Sequence, residues 1–155
     1  MQPRRALRSM IFRALLVWLL IFAVEVVHGV LRTLWLVPLV GDLPARQIGV
    51  LVGSLLILLA AWLCIDWIGA RGRRELLGVG LSWLLLMLVA EITLGRFVFG
   101  YPWLRIAEDF DPTRGGILGL GMLVLFAAPW LARRWRPGPR DEDGAPARAA
   151  GHRSG

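Results

Sequence analysis

Four stretches of this chain carry almost no charge: Ala14 to Leu36, Ile48 to Ile68, Leu76 to Phe99 and Gly116 to Ala132. A bilayer core about 30 Å thick takes roughly 20 apolar residues to cross as a helix. Only a helix or a closed barrel satisfies its own backbone polar groups there. The fourth stretch is the shortest, yet adequate. Hydrophobic residues make up 57% of the 155, more than a soluble core of this size hides behind a polar surface. The pattern predicts an all-α integral membrane bundle of four transmembrane helices.

The breaks between stretches are rich in turn-forming residues. Pro38, Gly41, Asp42 and Pro44 end the first span, and Gly69 with Arg71, Gly72, Arg73 and Arg74 divides the second from the third. Gly100, Pro102, Asp111, Pro112, Gly115 and Gly116 precede the fourth. A cleaved signal peptide fits the N-terminus poorly, because the first apolar run is too long and no small-x-small site follows it. The twin Arg4-Arg5 lacks the rest of a twin-arginine signal.

All 18 basic residues other than histidine are arginines, and the formal net charge is +7. They cluster between apolar runs rather than forming a stripe, which argues against nucleic-acid binding and for the positive-inside rule. Arg4, Arg5, Arg8 and Arg13 precede span one; Arg71, Arg73 and Arg74 lie between spans two and three; Arg133, Arg134, Arg136 and Arg140 follow span four. The opposite loops balance arginines against Asp42, Glu108, Asp109 and Asp111. Both termini are therefore expected in the cytoplasm. Residues 1–13 read as a basic cytoplasmic segment, 14–134 as the membrane domain and 137–155 as a disordered cytoplasmic tail with no apolar period.

Spans one and two can be laid over spans three and four as two tandem two-helix repeats. Glu25 falls on Glu91, Gly29 on Gly95, and Asp42-x-Pro44-x-Arg46 resembles Asp111-Pro112-x-Arg114. Such a repeat has its axis along the membrane normal, so its glutamates and arginines meet at one depth.

Ionisable groups inside a membrane demand a partner or water. At about 1.5 Å per residue, Glu25 lies roughly 18 Å beyond Arg13 and Glu91 about 25 Å beyond Arg74, both in the outer half. Glu25, His28, Gly29 and Arg32 share one helical face, with Trp18 and Leu36 on the same stripe. The candidate polar cluster is Glu25, His28, Arg32, Arg46, Glu91, Arg96 and Arg114. Three readings stand. The glutamates pair with Arg46, Arg96 or Arg114 as structural glue; or Glu25, His28 and Glu91 line a wet cavity and relay protons; or Glu25 or His28 is the base of an enzyme whose arginines grip an anion. Gly49 and Gly53, and likewise Gly115 and Gly119, offer small-residue ridges for helix packing or self-association.

Cofactor and metal chemistry find no support. Cys64 is the only cysteine, and His28 and His152 are the only histidines, so no zinc spacing exists and no two axial imidazoles for a haem. Neither a phosphate-binding glycine loop nor a Gly-x-Ser-x-Gly elbow is present. Trp62, Trp67, Trp103, Trp130 and Trp135 sit near span ends as interfacial anchors.

The stretch from Ala23-Val24-Glu25-Val26-Val27-His28-Gly29 to Arg46-Gln47-Ile48-Gly49-Val50 resembles a family of small bacterial four-span inner-membrane proteins with no assigned activity. Glu91-x-x-x-Gly95-Arg96 and Asp111-Pro112-x-x-Gly115-Gly116 carry the same resemblance. It implies topology and a bacterial inner-membrane setting only. The expectation for function is transport of a small ion or solute, or assembly with a membrane partner or a second copy; the alternative is a membrane-embedded enzyme on a lipid-linked or anionic substrate.

Overall fold

A computed structural model describes residues 3–136, with side chains from Leu7 onward. The tail expected at 137–155 lies outside the described residues. Those described are helical, with no strand among them. Three helices are long and apolar enough to cross a membrane: Leu7–Val40, Asp42–Ile68 and Arg73–Val98.

The first is built from α1 (Pro3–Leu31), a π-helical turn at Arg32–Leu36 and α2 (Val37–Val40). Pro38, expected to end the span, is instead carried inside it. A proline has no N–H to give the carbonyl four residues back, and its ring clashes there. The wider π turn just before it, where Val37 N–H reaches the Arg32 carbonyl, is the usual relief. The break falls at Gly41 alone, whose φ of 85° favours glycine.

Helix α3 (Asp42–Ile68) starts immediately and buries Ala45, Gly49, Gly53, Ile57, Ala61 and Ile65, one residue every turn. After the left-handed cap at Gly69 the chain reverses into α4 (Arg73–Thr93) and a second π turn at Leu94–Val98. The following segment, read from the sequence as a simple break, contains the short helix α5 (Trp103–Phe110) and a 3-10 turn at Pro112–Arg114. It exposes Trp103 and Leu104 while keeping Arg105, Glu108 and Asp109 half-buried.

Helix α6 (Leu118–Trp135) has 18 residues and packs in the angle between α3 and α4. Gly121, early in it, lies beside Val50 and Ser54, and Arg133, near its end, reaches Asp66 and Ile65. It therefore runs parallel to α3, with 18 residues against 27. Its closest contact is with α4, where Gly80 sets its backbone directly on the Phe126 carbonyl. Side chains shared by the helices close the centre: Trp83, Ile21, Ile65 and Leu125 are almost fully buried. Trp83 Nε1 donates to the Ala14 carbonyl at 2.9 Å, fixing α4 to α1.

The exterior is as apolar as the interior. Leu19, Leu55, Leu63, Leu85 and Val89 are all more than half exposed, an arrangement suited to lipid and hostile to water.

Candidate functional site

Charges gather at two ends of the bundle. At the arginine-rich end, Arg13 donates to the Trp67 carbonyl and lies over that indole. Arg133 donates to Asp66 at 2.7 Å and to the Ile65 and Ala70 carbonyls, closing the α3–α4 turn onto α6. Arg136 sits 3.4 Å from Asp66 and over the Trp62 ring.

At the other, mixed-charge end, Asp42 and Arg46 of α3 interlock with Arg105 and Asp109 of α5. Arg46 bonds Asp109 and lies 3.2 Å from Asp42; Arg105 lies 2.9 Å from Asp42 and 3.0 Å from Asp109. Each guanidinium meets both carboxylates, so α5 is pinned over the bundle end by a closed ring of four charges. Arg114 pairs with Glu108 and Asp111. The Thr113 hydroxyl, then its backbone N–H, hold the Asp111 carboxyl below the ordinary range.

The expected cluster thus divides. Arg46 and Arg114 go to these aspartates and Glu108, and Arg96 turns to the Tyr101 carbonyl and the Trp103 ring. None of the three forms an ion pair with Glu25 or Glu91 among the described residues, which corrects the pairing expected of them as glue. Asp42, Arg105, Glu108 and Asp109 are the partners that the sequence reading passed over. Their signal was the four-residue spacing of Asp42 with Arg46 and of Arg105 with Asp109, which places each pair on one helical face.

What stays together is Glu25, His28, Arg32 and Glu91. His28 Nδ1 lies 3.4 Å from Glu25 Oε2. Glu91, on α4, is close enough to feel the charges of Glu25, Asp109 and Arg32. Gly49 and Gly53 receive these side chains. A Cβ at Gly53 would stand 2.8 Å from Glu25 Oε2, and one at Gly49 would stand 2.6 Å from Arg32 Cδ. Gly115, by contrast, is a left-handed turn residue whose carbonyl accepts from Gln47 Nε2, so no helical ridge joins it to Gly119. Gly119 has nothing within 4 Å to pack on.

Three side-chain atoms on α1 and its continuation are buried with no hydrogen-bond partner: Trp18 Nε1, Glu25 Oε1 and Arg32 Nη1. Their residues are seven apart, so they line one helical face for about 21 Å. Among the described residues, no three His, Cys, Asp or Glu side chains come together as a metal site needs.

Known protein families, curated proteins and solved structures offer no match to this chain. Its functional reading rests on the geometry.

Proposed function

We propose that this chain is a four-span protein of a bacterial inner membrane that conducts or exchanges a small cation, most simply the proton, along the inward face of α1. The column of unpartnered atoms at Trp18, Glu25 and Arg32 carries this reading. Arg46 and Arg133 also leave Nε unpartnered, but other nitrogens of each guanidinium are ion-paired, whereas Arg32 has no ion pair among the described residues. Buried polar atoms without protein partners take water, and a water line between carboxylate and imidazole is a proton path.

In this proposal α6 is the fourth span, lying along α3 from Val50 to Asp66. The arginine-rich end faces the cytoplasm by the positive-inside rule. A π turn late in each of the first and third long helices, at Arg32–Leu36 and Leu94–Val98, fits the two-helix repeat with a four-residue offset from the Glu25–Glu91 register. The resemblance to small four-span inner-membrane proteins belongs to the same proposal.

Two measurements test it. A reporter joined after Arg140 should read cytoplasmic and one inserted after Asp42 external; a C-terminus outside would refute the four-span topology. In liposomes, purified Glu25→Gln protein should keep a near-wild-type melting temperature, since Oε1 has no partner to lose and the amide can still meet His28 Nδ1, while pH-driven proton flux drops about a hundredfold, the low end for a lost proton-transfer group. Flux equal to wild type would refute the pathway.

A further inference from the structure

Beside the column, α1 and α3 leave an open groove of about 270 Å³ on the bundle's outer surface. Trp35, Leu36, Ile48 and Val52 form its apolar walls, with His28 and Arg32 among its lining. Arg32 is unlike the other arginines at this end of the bundle. Arg46, Arg105 and Arg114 are ion-paired, and Arg96 has a carbonyl and an indole. Arg32 makes no hydrogen bond, ion pair or ring contact among the described residues; Glu91 only senses its charge from a distance. A guanidinium has five N–H donors, and one set in an apolar wall demands an anion or water.

Depth indicates which anion. Arg13, with its Trp67 contacts, marks one edge of the apolar belt. Nineteen residues of helix further on, about 28 Å, stands Arg32. That is nearly the full thickness of a bilayer core of about 30 Å, so its guanidinium lies at headgroup level in the far leaflet. A guanidinium at that level pairs readily with phosphate oxygens, and apolar walls suit an acyl chain.

We propose that an acidic phospholipid of the leaflet at the mixed-charge end docks in this groove, its phosphate on Arg32 and an acyl chain along Ile48 and Val52. The site shares Arg32 with the column but needs neither Glu25 nor Glu91, so lipid binding does not require proton conduction.

The test uses the whole protein, delipidated in a neutral detergent and offered equal amounts of phosphatidylglycerol and phosphatidylcholine with matched chains. Retained lipid is counted by native mass spectrometry. Wild type should retain the glycerol lipid about fivefold over the choline lipid, the preference that one well-placed basic residue gives. Arg32→Gln should lose most of that preference, and the double change Arg73→Gln with Arg74→Gln at the opposite end should keep it. Equal retention by wild type, or an undiminished preference in Arg32→Gln, overturns the proposal. Should Arg32→Gln fail to fold, Val52→Phe decides, since it fills the groove from an exposed position with Arg32 in place: lost preference supports the site, and kept preference overturns it. Glu25→Gln should bind lipid as wild type does, even where it abolishes flux, which separates this proposal from the conduction reading.

Discussion

Helix α6 and helix α1 are held in opposite ways. Against α6 the neighbours come in close at glycines: Gly80 rests backbone on backbone on the Phe126 carbonyl, and the Val50 side chain fills the space beside Gly121. Against α1 the contacts run through long side chains, with Arg32 laid over Gly49, the Glu25 carboxylate against Gly53 and Trp83 reaching the Ala14 carbonyl. Lipid supplies no hydrophobic force between helices, so close backbone packing is what makes a rigid membrane unit. The α3–α4–α6 unit has it. The seam along α1 keeps its glycines for polar side chains, and the unpartnered atoms of Trp18, Glu25 and Arg32 lie there. One interface holds the bundle together, and the other leaves room inside it.

The largest test of that division is Gly80→Ala. The added methyl would fall on a backbone oxygen, which no rotamer change moves aside, so α4 and α6 must separate. A loss of about 3 kcal/mol is expected, the upper end for overpacking, read by reversible unfolding in mixed micelles. A wild-type midpoint would mean that this contact is not what holds the rigid unit.

Arg46→Gln should have a middle effect. It removes one corner of the ring that ties α5 to α3, but Arg105 still faces both aspartates. All four side chains are a fifth or more exposed, so the loss should be about 2 kcal/mol, that of a charge-assisted hydrogen bond, rather than that of a stranded buried ion. Adding Asp109→Asn should recover part of it, giving a coupling energy in a double-mutant cycle. Strict additivity would show that the ring is not a unit.

Much of this was legible in the sequence, and the failures follow from physics that sequence spacing does not carry. Apolar run length predicted four spans, and three of them are helices long and apolar enough to cross a membrane, because backbone hydrogen bonding in lipid leaves few alternatives. The stripe of Glu25, His28 and Arg32 followed from helical period and does share a face in the fold. Partner choice was not legible for Arg46, Arg96 and Arg114, since it depends on where α5 lies, and an eight-residue helix among Gly and Pro gives a weak period. Pro38 misled because a π turn can absorb a proline without ending the helix. The small-residue pattern at Gly49 and Gly53 marked an interface in the sequence without saying whether backbone or side chains would fill it.

That last ambiguity gives the finest test, Gly53→Ala. An alanine Cβ there would stand 2.8 Å and 2.9 Å from the two Glu25 carboxylate oxygens, which are the mobile end of a long side chain and can swing away. Alanine also favours a helix interior over glycine by about 1 kcal/mol, so the clash and the propensity should nearly cancel and leave the unfolding midpoint where it was. Function should respond differently. The carboxylate must leave its seat beside His28 Nδ1, breaking the line between Trp18 and Arg32. Proton flux in liposomes should therefore fall several-fold while stability holds, the reverse of what glue at this position predicts. A midpoint lowered as far as that of Gly80→Ala would place α1 in the same rigid unit as α6 and remove the distinction between the two interfaces. Unchanged flux at unchanged stability would instead show that the seat of Glu25 is irrelevant to conduction. Either outcome can be read from one purified variant, because the stability and flux measurements share a sample.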